Sequence, residues 1–188
     1  MKGVVWHNGD FGIALVTRSG SHSIFKQILK HHYPNNDQSE KNKSPYDPTI
    51  WHPVKNLSNL HDLSGNNSIL SQEFAVMVRN PLERFRSACA RKGCSSIEGL
   101  TTMQEDVHFW SIHSMGLMLP TAKFFLFPYQ LNDCLNYLNL PTNVEKLNGE
   151  SEEKKPNLNQ EETELFQKIY EADIELYNNL KEKLHGQF

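Results

Sequence analysis

The chain has 188 residues, 38% of them hydrophobic and 22% charged, and a formal net charge of −3 at pH 7. That length suits one domain, spanning residues 1–188, with a sizeable core; the composition is that of a folded protein, and the slight acidity argues against a nucleic-acid binder. No apolar run approaches the roughly 20 residues of a membrane span, and the opening MKGVVWHNGDFG turns polar too soon for a secretory signal, so a cytoplasmic protein with no membrane partner is expected.

In chain order, Val4-Val5-Trp6 and the run Phe11 to Val16 flank His7-Asn8-Gly9-Asp10. Asn-Gly between apolar runs is a hairpin signal, and the second strand is expected to run into Thr17. A helix follows from about Ser21 or Ser23 to His32, stopped by Pro34. Residues 35–48 are polar, carry two prolines and read as a loop or flap. Thr49-Ile50-Trp51 reads as a short strand, and a helix is expected around Val54 to Leu63.

Phe74-Ala75-Val76-Met77-Val78 is an unbroken apolar run, the pattern of a parallel strand buried on both faces. Asn80-Pro81 opens a helix that runs to about Arg91 and stops at Gly93. A helix is expected over residues 102–118, a strand from Lys123 to Phe127 and a helix from Gln130 to Leu138. After the charged stretch NGESEEKKPN, Asn159 caps a last helix with Glu161 and Glu162 in its first turn. It reaches about Leu184 with Leu165, Ile169, Ala172, Leu176 and Leu180 on one stripe. Strands alternating with helices argue for an α/β sheet with parallel strands.

Cys89, Cys94 and Cys134 are too few, and odd in number, for a disulfide framework. Arginine is more informative. Of five arginines, one is Arg18 and the other four, Arg79, Arg84, Arg86 and Arg91, fall within thirteen residues. Arginine suits bidentate recognition of phosphate, and Arg18 and Arg79 both stand at expected strand ends.

In open α/β sheets ligands bind beyond the carboxyl ends of the strands. At the first such end stands Thr17-Arg18-Ser19-Gly20-Ser21-His22-Ser23. Gly20 allows a sharp turn and close approach, the helix start offers unpaired N–H groups, Arg18 adds charge and the serines and His22 add donors. The pattern is an anion cradle. It lacks the Gly-Lys-Ser/Thr of a metal-dependent phosphate loop, and Phe74 to Val78 ends in Arg79-Asn80 rather than in an acid, so an anion held without a metal is expected. At the second strand end, Ser87 lies eight residues after Arg79, on the helix face that looks back toward the strand.

With these two motifs the sequence resembles the sulfotransferases that use 3′-phosphoadenosine 5′-phosphosulfate (PAPS). The family's 5′-phosphosulfate loop has a basic residue, a hydroxyl, glycine and two more hydroxyls; Arg18-Ser19-Gly20-Ser21-His22 matches it except at His22. Its 3′-phosphate motif is matched throughout by Arg79-Asn80-Pro81-Leu82-Glu83-Arg84-Phe85-Arg86-Ser87. The closing segment, with Lys154 and Lys155 before a helix bearing Tyr170, Asp173 and Tyr177, is similar to that of Golgi-type carbohydrate sulfotransferases.

The resemblance implies a three-layer P-loop-like fold with a mainly parallel central sheet flanked by helices. It implies transfer of a sulfuryl group from PAPS, without a metal, to a hydroxyl or amine acceptor, carbohydrate being the guess from the closing segment. The donor would be held by Arg18, Ser19, Gly20, Ser21, His22, Ser23, Arg79 and Ser87, with Arg18 also stabilising the leaving phosphate. In cytosolic members a histidine after Lys-Thr is the general base; His52 stands in the corresponding interval, preceded here by Ile50-Trp51, with His22, His61 and Glu73 as the alternatives. A small-molecule acceptor is the alternative. Two rival readings are a magnesium-dependent nucleotide kinase and a non-catalytic binder of 3′-phosphoadenosine nucleotides.

Overall fold

The computed structural model describes residues 4–7, 12–32, 60–62, 73–143 and 152–186. The expected loop at 35–48, the strand at Thr49–Trp51 and His52 lie outside them. The elements in order are β1 (Val4–His7), β2 (Gly12–Ala14), α1 (Ser21–His32), β3 (Leu60–Asp62), β4 (Phe74–Val78), α2 (Pro81–Lys92), α3 (Ser96–Thr101), β5 (Ala122–Leu126), α4 (Leu131–Tyr137) and α5 (Gln160–His185), with a 3₁₀ turn at Glu152–Lys154 before α5.

The five strands form one sheet in the order β3-β1-β2-β4-β5. β2, β4 and β5 are parallel, with Ile13 opposite Ala75 and Met77 opposite Phe125. β1 pairs antiparallel with β2, as the Asn-Gly hairpin signal predicts, and antiparallel with β3. The protein is thus α/β, an open sheet whose three-strand parallel unit is flanked by helices. No helix among the described residues is long and apolar enough to cross a membrane.

β4 is buried at every position, and its alternating side chains feed two cores. Ala75 and Met77 pack with Trp6, Ile13, Phe25 and Leu135, against α1 and α4. Phe74, Val76 and Val78 pack with Val16, Ile112 and Leu117, closed by Leu176 and Leu180 of α5. A third cluster, Phe85, Cys89, Phe109, Phe166 and Tyr170, ties α2 to α5. Each large ring in it is worth about 3–5 kcal/mol against alanine.

The helix ends follow from local chemistry. The Asn80 side chain accepts from the Glu83 amide at 3.1 Å, Pro81 opens α2, and Gly93 closes it in the left-handed region at φ 66°. Asn159 and Glu162 form a reciprocal capping box at the start of α5. The most buried residues of α5 are Phe166, Tyr170 and Asp173, one position along from the Leu165–Leu180 stripe, and the helix is kinked at Tyr170 (φ −109°, ψ 17°).

Two expectations are corrected. The helix around Val54 to Leu63 is not formed at its end: Leu60–Asp62 is β3, drawn into the sheet by pairing with Val4–Trp6. Residues 102–118 form successive turns, not a helix. Their apolar side chains are buried, with Phe109, Ile112, Met115 and Leu117 nearly inaccessible. Their backbone groups, however, are claimed by other parts of the chain. Val107 O accepts from Thr17 Oγ1 at 3.0 Å, Phe109 O from Tyr170 at 2.6 Å and Trp110 O from Arg84 at 2.7 Å. The amides of Ile112 and His113 donate to Asp173 at 2.9 and 3.1 Å. Tertiary bonds replace the helical ladder there. The helix of this region is instead α3, whose Ser95–Glu98 capping box starts it.

Candidate functional site

The parallel strands β2, β4 and β5 all point their carboxyl ends to one edge of the sheet. β2 stops at Ala14, earlier than Thr17; Leu15 and Val16 continue buried, and residues 17–20 turn into α1. Arg18 (φ 60°) and Gly20 (φ 80°) are both left-handed, a conformation that costs a non-glycine residue of order 1–2 kcal/mol. At Gly20 nothing larger fits: a Cβ would lie 2.8 Å from the Phe127 ring. The first helical bond runs from the Ile24 amide to Gly20 O at 3.1 Å, so the amides of Ser21, His22 and Ser23 have no partner within α1.

The two motifs meet directly. Arg18 donates to the Ser87 hydroxyl from Nε at 3.0 Å and from Nη2 at 2.7 Å. Two donors fill the lone pairs of Ser87 Oγ and leave its own O–H to donate. Arg79 donates to Arg18 O at 3.0 Å, stands 3.9 Å from Glu83 and lies over the Phe127 ring at 6.0 Å. Burial lowers the Arg79 pKa, with Glu83 and Glu152 opposing, yet an arginine remains charged. Phe127 thus walls the loop on one side, touching the space at Gly20 and the face of Arg79.

Ser19 is fully buried and its Oγ has no hydrogen-bond partner among the described residues. An unsatisfied buried hydroxyl costs about 1–3 kcal/mol, and a ligand oxygen against this loop would satisfy it. Among the described residues the donor set is cationic and hydroxylic with no metal-ligating carboxylate group, which fits an oxyanion. Ser21 is buried, Ser23 partly buried and His22 exposed at the head of α1. Partial desolvation of its ring, then the charges of Lys26, Arg91 and Arg18, lower the His22 pKa.

Other sequence candidates fall elsewhere. Glu73 precedes β4, at the opposite edge of the sheet, exposed and 3.9 Å from Lys123. Six residue steps along extended strand, at about 3.3 Å each, separate it from Arg79 by about 20 Å. His61 is in β3, on the far antiparallel side of the sheet. Arg84 is buried and paired with Asp173 at 3.5 Å, so Arg84, Tyr170 and Asp173 hold the 107–113 segment rather than facing the cradle. Arg86 donates to Pro156 O at 2.9 Å and to Asn157 Oδ1 at 3.0 Å, and Lys155 to Glu83 at 3.1 Å and to Glu152. These bonds strap residues 152–157 to the start of α2.

One group escaped the sequence reading. The segment that Thr17 grips through Val107 O continues into His108, whose Nδ1 lies 2.7 Å from Asp106 Oδ1. The other oxygen of Asp106 lies 2.6 Å from Lys92 Nζ. The Asp-x-His spacing of Asp106 and His108 was the available signal; its distance in sequence from both motifs hid it. A pocket of about 320 Å³ bordered by Phe109, Trp110 and His113 includes none of the cradle residues. Burial pushes up the thiols of Cys89 and Cys134, the latter to about 12, so neither is a ready nucleophile.

No protein-family model, no curated protein and no solved structure matches this chain.

Proposed function

We propose that the protein is a PAPS-dependent sulfotransferase with a P-loop-like arrangement of its sheet, moving a sulfuryl group from PAPS to a hydroxyl acceptor, with carbohydrate the first class to try. The observation that carries this reading is the contact of Arg18 with Ser87. It brings the loop suited to a 5′-phosphosulfate and the motif suited to a 3′-phosphate into one cradle at the strand ends. Arg79, the free amides of α1 and the buried Ser19 hydroxyl support it. The reaction asks for positioning and charge stabilisation. Arg18 supplies permanent positive charge where the leaving phosphate gathers electrons, and Ser87 and Arg79 anchor the far phosphate.

The test is transfer of radiolabelled sulfuryl from PAPS to a panel of glycans and simple alcohols with EDTA present. Label in an acceptor, lost in Arg18→Ala, supports the proposal. Absence of transfer, with phosphoryl transfer from magnesium-ATP instead, contradicts it.

A further inference from the structure

Resting on that sulfotransferase reading, we infer that His108 is the general base that takes the proton from the acceptor hydroxyl, oriented by Asp106. Three observations place it. First, the hydrogen bond from Thr17 to Val107 O, 3.0 Å, ties the residue before His108 to the residue before Arg18, and the Arg18 charge acts on the His108 ring. Second, the bonds from Tyr170 to Phe109 O and from Arg84 to Trp110 O fix the backbone just beyond His108; a base held by buried anchors keeps its aim. Third, Asp106 takes both the backbone amide of His108 at 2.9 Å and the ring Nδ1 at 2.7 Å.

An ionised carboxylate only accepts, so the proton of neutral His108 sits on Nδ1 and the lone pair on Nε2. Burial alone raises the Asp106 pKa, but hydrogen bonds from Lys92 and His108 outweigh it and hold the carboxyl below its ordinary value. No described residue bonds His108 Nε2. The charged groups that act on the ring are Asp106 beside it, Lys92 of α2 and Arg18 of the loop; burial, Lys92 and Arg18 lower its pKa and Asp106 opposes them. The net effect favours the neutral ring, whose Nε2 lone pair can accept a proton.

The step balances. The acceptor oxygen forms a bond to sulfur as its proton passes to His108 Nε2. The bond from sulfur to the bridging oxygen breaks, and its electron pair stays on the departing 5′-phosphate beside Arg18. Asp106 stabilises the imidazolium until water takes its proton.

The experiment is a titration of the histidine ring signals of the full chain by NMR, with and without 3′-phosphoadenosine 5′-phosphate, the product nucleotide. His108→Asn assigns the His108 signal by its absence. In wild type the nucleotide's phosphates should offset the charge of Arg18 and raise the His108 pKa. A His108 titration indifferent to bound nucleotide overturns the inference and leaves the donor-site reading standing. Failure of the wild-type chain to bind the nucleotide overturns both. The titration is read on wild type, so it decides the matter even if the variant folds poorly.

Discussion

The guanidinium of Arg18 and the hydroxyl of Ser87, 69 positions apart in the chain, are joined by two hydrogen bonds of 3.0 and 2.7 Å. The contact closes the gap between a loop after β2 and a helix after β4, and it makes one cradle from two motifs. Removing the charged partner, Arg18, which lies in the loop between β2 and α1, should weaken anion binding more than the fold. Arg79→Ala should lower affinity for 3′-phosphoadenosine 5′-phosphate by about ten- to a hundredfold, roughly 1.5–3 kcal/mol, with little change in affinity for 5′-AMP. Calorimetry on both nucleotides reads this; an equal loss for both would place Arg79 away from the 3′-phosphate.

Gly20 and Gly93 give a matched pair. Both have positive φ, 80° and 66°, but a Cβ on Gly93 meets nothing within 4 Å, while one on Gly20 meets Phe127. Gly93→Ala should cost only the backbone strain, about 1–2 kcal/mol, and leave nucleotide affinity intact. Gly20→Ala should cost more than that in stability and lose nucleotide binding, since Phe127 and the loop must part. Thermal melts beside calorimetry separate the two effects.

Asp173 compensates a buried cation. It is paired with Arg84 and also accepts the amides of Ile112 and His113. Asp173→Ala leaves Arg84 charged and unpaired in the interior, which should destabilise by about 3–5 kcal/mol, read as a fall in denaturant midpoint at unchanged slope. A loss under 1 kcal/mol would mean that the 107–113 segment is held some other way.

Acid should weaken the fold in two stages. His22, His32 and His108 all lie below 6.5, burial being the largest cause in each. The unfolded chain therefore binds more protons below that pH, and stability falls as pH drops from about 6.5 through their folded values. Glu83 and Asp106 are also depressed: burial opposes, but bonds from Lys155 and Arg86 hold Glu83 down and bonds from Lys92 and His108 hold Asp106 down. Their contribution is full above their ordinary values, 4.5 and 3.8, and is lost as pH falls through the lower folded ones. Denaturant midpoints from pH 7 to pH 3 follow both stages, and His108→Asn should flatten the upper one. Sulfuryl transfer should likewise fall on the acid side through the His108 pKa. Asp106→Asn should move that limb to lower pH by removing the carboxylate that favours the imidazolium.

Four of the five strands, β3 being the exception, and most helices were legible because each is decided locally. FAVMV at residues 74–78 has no polar position to expose, and Asn80-Pro81, Gly93 and Asn159 mark helix ends by their own backbone chemistry. Arg18, Ser19, Gly20, Arg79 and Ser87 were legible because their spacing against strand ends forces them to one edge. Residues 102–118 misled because helical spacing of apolar residues reports burial, not backbone pairing; Arg84, Tyr170 and Asp173 take the carbonyls and amides that a helix would have used. The pairing of His108 with Asp106 was missed for the same reason, and it is tertiary contact such as the bond from Thr17 to Val107, 90 positions away, that brings it near Arg18.

The most direct test of the donor site is calorimetric binding of 3′-phosphoadenosine 5′-phosphate with EDTA present, against 5′-AMP and ATP. The account predicts tight binding that depends on the 3′-phosphate, needs no metal and weakens in Arg18→Ala and Arg79→Ala. Absence of binding, or binding of ATP only with magnesium, would contradict it.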